Sequence, residues 1–200
     1  GTSSMVLSVM RMTLNRLTGG FISSPGSDLE PKAGPWNVLL VHAHPCDDSF
    51  SAAIASTVED SLTAAGHSVK RWSPYNWSDG MAMQPSLTAL ERRAYITSDP
   101  PPEVPRDVRK FVNDLRAADA LVFVYPTWWF SVPGILKGLI DRTFIPGVAF
   151  TFPKGEGPHP VGSTGLVPCL TNIKKLGAVT TYGASRPIAL IAGDGGHTLL

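Results

Sequence analysis

Short apolar runs alternate with stretches whose apolar residues recur every three or four positions, and few folds accommodate that alternation. The first run is Val38, Leu39, Leu40 and Val41, and it ends in a polar loop at residues 44–49. A continuous apolar run of this length reads as a strand covered on both faces. From there Phe50, Ala53, Ile54, Val58, Leu62 and Ala65 fall on helical spacing, with Ser49 or Asp48 as N-cap and Gly66 as the stop. Residues 68–72 form a weaker second strand, which closes a β-α-β unit.

The pattern repeats further on. Residues 73–105 carry Pro74, Pro85 and the run Pro100-Pro101-Pro102, and read as loop with one helix around 86–96. Residues 108–115 are helical, with Phe111, Val112 and Leu115 on one side; residues 120–125 are a buried strand; residues 126–131 are a loop. Pro133 suits the first turn of a helix that carries Ile135, Leu136, Leu139, Ile140 and Phe144. Residues 177–181 make a fourth strand. Strands alternating with helices predict an α/β, doubly wound parallel sheet with helices on both faces and right-handed crossovers. Residues 36–200 are expected to be this domain. Residues 1–35 differ: Gly1-Thr2-Ser3-Ser4 precedes Met5 like an appended leader, Val6, Val9, Met10, Leu14 and Leu17 recur at helical spacing, and no acid occurs before Asp28. They are read as a disordered leader and linker, or as a transit peptide that would direct the protein to mitochondria.

Composition narrows the function. The net charge is +1, with 43% apolar and 16% charged residues, so nucleic-acid binding is not expected and a packed core is. No apolar run reaches membrane-spanning length, and no membrane insertion is expected. The two cysteines, Cys46 and Cys169, read as free thiols of a reducing, cytoplasmic compartment.

In a doubly wound sheet, ligands bind beyond the carboxyl ends of the strands, where the strand order switches. Three loops leave such ends here: residues 44–51, 126–131 and 181–185. The first runs into a helix N-terminus, where the N–H groups of Ser49, Phe50 and Ser51 and two serine hydroxyls favour a phosphate, although ordinary capping accounts for either serine. This loop has neither G-x-G-x-x-G nor a Walker A sequence. The second loop puts Tyr125, Trp128, Trp129 and Phe130 around a strand end, a wall suited to a planar aromatic ligand. Tyr125 suits the core equally well. His42 and His44, two apart on a strand, point the same way and with Cys46, Asp47 and Asp48 could hold a metal; the partners a hydrolase needs are not found downstream, and no metal is expected.

These residues resemble a known family. His44-Pro45-Cys46-Asp47-Asp48-Ser49-Phe50-Ser51 resembles the A-H-P-x-x-x-S-F-N loop of the NAD(P)H:quinone oxidoreductases, with Ser51 where Asn is common. The segment from Tyr125-Pro126-Thr127-Trp128-Trp129-Phe130 through Pro133, Ile135-Leu136-Lys137-Gly138 and Asp141-Arg142 to Phe144 resembles their long signature, and Thr180-Thr181-Tyr182-Gly183-Ala184 resembles their flavin loop. The resemblance implies a flavodoxin-like fold, bound FAD with FMN as the alternative, NAD(P)H as co-substrate, and a homodimer with the substrate slot at its interface. It implies that His44, Ser49, Phe50 and Ser51 hold the flavin phosphate region. Pro126, Thr127, Trp128, Trp129 and Phe130 would line the ring, and Thr181, Tyr182 and Gly183 would meet its pyrimidine end. Phe150 and Phe152 would flank the substrate. Hydride would pass from NAD(P)H through the flavin to a quinone-like acceptor as an electron pair, so no side chain is expected to be catalytic.

By the same resemblance the sequence stops before a last strand and helix, and the strand at 177–181 is expected as an exposed edge. Three other readings make distinct predictions. A flavin-binding ancillary subunit would keep flavin without turning over NAD(P)H, a one-electron flavodoxin carrier calls for a different phosphate loop, and a metal hydrolase would be colourless.

Overall fold

The computed structural model describes residues 34–78, 80–95, 104–151 and 166–193. Expectations for residues 1–33, for Phe152 and for the last seven residues lie outside them. The elements run β1 (Asn37–His42), α1 (Phe50–Ala64), β2 (Ser68–Trp72), α2 (Ala89–Ala94), α3 (Arg106–Ala117), β3 (Ala120–Pro126), α4 (Gly134–Thr143), β4 (Phe150–Thr151), β5 (Val167–Pro168), β6 (Lys175–Thr181) and α5 (Arg186–Ile191).

The four long strands form one parallel sheet in the order β2-β1-β3-β6, so the order reverses between β1 and β3. Alternation along each strand divides the side chains between two faces. Leu39, Val41, Leu121, Phe123 and Tyr125 pack with Phe111 and Leu115 of α3 and Ile135, Leu136 and Leu139 of α4. Val38, Leu40, His42, Val122 and Val124 take the opposite face, which α1 covers with Ile54, Ala55, Val58 and Leu62. Trp72 meets Phe111 edge to face at 4.9 Å, and burial of a ring as complete as that of Phe111 stabilises by about 1.5–3 kcal/mol.

Each helix begins and ends where its local chemistry dictates. Ser49 caps α1 by accepting from the Ala52 N–H at 3.1 Å, and Gly66 ends it with φ +89°, which only glycine adopts at no cost. The helix expected around 86–96 is shorter: it starts where Thr88 and Glu91 form a capping box and buries no side chain, so apolar periodicity could not mark its bounds. Pro133 is the N-cap of α4 rather than a first-turn residue. The antiparallel pair β4-β5 and helix α5 are additions to the expected elements.

One buried ion cluster ties three helices together. The Arg142 guanidinium, 2% exposed, pairs with Glu91 and Asp107 at 2.8 Å each and donates to the Gln84 carbonyl. Burial opposes its charge, but the bonds to Asp107 and Glu91 outweigh that and raise its pKa. The same face of α4 carries Gly138 against the Pro85 backbone.

Candidate functional site

The carboxyl ends of β1, β3 and β6 open on one edge of the sheet, and their loops are joined by specific contacts. The Ala43 N–H donates to the Val124 carbonyl at 2.9 Å, tying the first loop to β3. Pro126 lies opposite Thr181, and the backbone N–H and hydroxyl of Thr127 both donate to the Thr181 carbonyl, at 2.8 and 2.7 Å. The Thr127 hydroxyl proton is therefore committed to the protein. Tyr182 is half-buried and Gly183 exposed, with open space where a Gly183 side chain would stand.

The first loop presents hydrogen-bond donors at a helix N-terminus. Ser49 spends a lone pair on the cap, leaving its O–H to donate outward, and the N–H groups of Phe50 and Ser51 have no partner among the described residues. Ser51 is 3% exposed, and its hydroxyl makes no hydrogen bond. No acid occupies the first turn of α1, and Asp47 and Asp48 are exposed, so the positive helix end is not offset from within. His44 is half-buried. Its Nδ1 is engaged by the Cys46 backbone, 3.0 Å from the N–H nitrogen and 3.2 Å from the carbonyl oxygen, and Nε2 is left for other partners. The His44 ring stands edge-on to Trp128 at 5.9 Å, and this contact joins the first loop to the second.

The second loop is a two-residue hairpin. Trp128 and Ser131 exchange backbone hydrogen bonds at 3.0 and 3.2 Å, and the residues between them, Trp129 and Phe130, have φ of +52° and +59°. Turns with both central residues in the left-handed region ordinarily use Asn and Gly. Each aromatic residue here costs about 1–2 kcal/mol in local backbone strain. Trp129 is 95% exposed, so burial of its ring returns none of that. Strain of this kind concentrates at ligand sites. Its effect is to direct the N–H groups of Trp129 and Phe130 out of the turn; among the described residues neither makes a backbone hydrogen bond. Phe50, Trp128 and Trp129 add exposed aromatic surface.

Tyr125 belongs to the core, at 1% exposure. Phe150 lies in β4, edge-on to Tyr95. The Arg116 side chain, in the last turn of α3, donates to Gly147 and so holds this stretch toward the other end of the sheet. α4 starts beside the hairpin and its ten residues carry the chain about 15 Å before β4. Within one chain Phe150 therefore does not join the three loops.

His42 is the residue whose surroundings the sequence did not disclose. It is 2% exposed, and its ring stacks on His44 at 6.3 Å. Nδ1 lies 3.1 Å from a guanidinium nitrogen of Arg71. Arginine only donates, so Nδ1 accepts and the proton sits on Nε2, which is buried without a partner. Burial, then Arg71, then His44 lower the pKa from 6.5 to about 4, against a small opposing effect of Asp47. No group of three metal-binding side chains gathers among the described residues. Nor is any helix among them long and apolar enough to cross a membrane.

Human ribosyldihydronicotinamide dehydrogenase [quinone] is 30% identical over 132 residues, covering 58% of this chain and 54% of its own length. Rat NAD(P)H dehydrogenase [quinone] 1 is 29% identical over 171 residues, or 76% and 56%. The chain thus spans about half the length of these curated relatives. The solved NAD(P)H:quinone oxidoreductase from Methanothermobacter marburgensis superposes with a TM-score of 0.67 over 80% of this chain and 74% of that one, at 24% identity, a likeness of fold. Residues 36–189 match the family described by the flavodoxin-like fold, and the chain belongs to that family.

Proposed function

We propose that this chain is a flavin-dependent NAD(P)H:quinone oxidoreductase that carries FAD, with FMN as the alternative. The observation that carries the reading is the pairing of two sites on one edge: the strained Trp129-Phe130 hairpin, with outward N–H groups, and the α1 N-terminus, with the unpartnered Ser51 hydroxyl. The first suits the polar rim and flat face of an aromatic ring, the second a phosphate. The donor set fits a flavin nucleotide, and a bound flavin would supply hydride acceptance and hydride donation.

The chain's own residues then bind and orient. His44 Nε2, the Ser49 and Ser51 hydroxyls and the Phe50 and Ser51 N–H groups hold the phosphate region. Trp128, Trp129 and Phe130 line the ring, with Pro126 and Thr127 behind them, and the Trp129 and Phe130 N–H groups stabilise negative charge at its edge. Thr181, Tyr182 and Gly183 close the far end. NAD(P)H and a quinone-like acceptor occupy the exposed aromatic surface in turn. Phe150, with Phe152, serves the slot of a second copy in a homodimer, a reading supported by the place of Phe150 in β4, after the far end of α4. The free thiols Cys46 and Cys169 suit a cytoplasmic setting.

The test is to purify the chain, identify any released cofactor by mass, and follow its visible spectrum. Flavin in stoichiometric amount, bleached by NADH or NADPH and recovered on adding a quinone, is the expected result. Flavin that stays oxidised with either nicotinamide points to an ancillary subunit. A folded, colourless chain that no flavin reconstitutes sinks the reading.

A further inference from the structure

The exposed aromatic hairpin and the α1 N-terminus are absorbed by the proposed site, but the His42–Arg71 pair is not. Parallel register sets Leu40 opposite Arg71, and Arg71 reaches along the strand to His42 while its second nitrogen donates to Ser56 of α1 at 3.2 Å. Glu59, also on α1, lies 3.6 Å from the same guanidinium. His42 therefore sits between the sheet and α1, beneath the helix N-terminus. The two ring nitrogens of an imidazole face different ways. With Nδ1 turned to Arg71, Nε2–H faces away from that guanidinium and stays on the α1 side of the sheet. Two buried polar atoms on this side of the sheet, His42 Nε2 and Ser51 Oγ, lack partners. A buried donor left unmatched costs about 1–3 kcal/mol, and one anion with several acceptor oxygens would satisfy both.

We propose that His42 is a buried hydrogen-bond donor, alongside the Ser51 hydroxyl, for the phosphate of a nucleotide ligand seated at the N-terminus of α1, and that Arg71 fixes the tautomer that makes it one. The assignment rests on the flavin reading for the identity of the phosphate carrier and on nothing else in it. Because burial and Arg71 keep the ring neutral, and Arg71 sets its proton on Nε2, the ring offers its N–H without adding a buried charge, and Arg71 contributes positive potential behind it. His42 is thus a positioning residue that discriminates phosphorylated ligands from their dephosphorylated counterparts.

The experiment titrates the full, cofactor-free chain with riboflavin, FMN, FAD and inorganic pyrophosphate, as wild type, His42→Leu and His42→Gln. Loss of a hydrogen bond to a charged group predicts that His42→Leu weakens FMN, FAD and pyrophosphate by roughly ten- to a hundredfold and leaves riboflavin unchanged. Gln keeps an N–H near the Nε2 position and is expected to restore most of the loss. If riboflavin weakens as much as FMN, or the phosphorylated ligands do not weaken, the proposal is overturned. A wild type that binds no flavin, yet binds pyrophosphate with the same dependence on His42, sinks the flavin reading and leaves the donor assignment standing. Should neither variant fold, side-chain nitrogen-15 spectra of the wild type decide: the His42 Nε2–H resonance is expected to move on adding pyrophosphate, and an unmoved resonance overturns the assignment.

Discussion

His42 titrates at about 4 in the folded chain against 6.5 for a free histidine. The unfolded chain thus binds this proton more tightly, and the sign follows: stability from this residue is complete above about pH 6.5, declines as pH falls toward 4, and changes no further below. At about 1.4 kcal/mol per pKa unit, the gap amounts to about 3 kcal/mol. Urea unfolding from pH 7.5 to 4.5 should show the wild type losing up to that much more than His42→Gln, which has no proton to take up. Parallel curves for the two proteins would mean that His42 is not buried neutral. The sequence displayed His42 and His44 as a same-side pair, and their stacked rings agree with that. It could not display Arg71, 29 positions away, because only the parallel register of β1 and β2 brings the two together. Trp129 and Phe130 were legible as loop aromatics at a strand end, but their positive φ was not, since aromatic residues carry no propensity for it.

At the scale of the element, α4 is where local pattern and tertiary demand separate. Its apolar residues marked it in the sequence, and its burial of Ile135, Leu136 and Leu139 is what that periodicity means. Gly138 is different: in a helix interior glycine costs about 1 kcal/mol relative to alanine, so local propensity argues against it. The reason lies 53 positions earlier. A Cβ at Gly138 would stand 2.1 Å from the Pro85 carbonyl oxygen, a backbone atom held in place by the neighbouring Gln84–Arg142 contact. Gly138→Ala should therefore destabilise by about 2 kcal/mol or more despite the better helix former. Gly134→Ala, at the open first position of the same helix, should stabilise by about 0.4–1 kcal/mol. Denaturation midpoints of both variants test the pair, and equal signs would refute the close approach. The bounds of helix α2, and the two-residue strands β4 and β5 altogether, escaped periodicity for a simpler reason: the elements are too short, and α2 too exposed, to bury a repeating face.

Across the whole molecule, alternating apolar runs sufficed for a parallel sheet, while the strand order, which only the structure gives, puts the switch between β1 and β3. What the alternation could not supply is how the three loops hold one another, which depends on His44 against Trp128 and on Thr127 against Thr181. A ligand spanning these loops bridges the first-loop helix, the hairpin before α4 and the end of β6, elements contributed by separate parts of the chain. Its binding energy is then available only to the assembled sheet, and it should stabilise the fold as a unit. At a free concentration one hundred times its dissociation constant, such a ligand adds about 2.7 kcal/mol. For a domain of this size each kcal/mol raises Tm by about 2–4 °C, so FMN or FAD at that level should raise Tm by about 5–10 °C. Thermal scans over a range of flavin concentrations check this, with Tm expected to climb logarithmically once the dissociation constant is passed. Tight binding measured by titration with no movement of Tm would show that the flavin engages the unfolded chain equally well. In that case the three loops do not form one site, whatever each of them resembles alone.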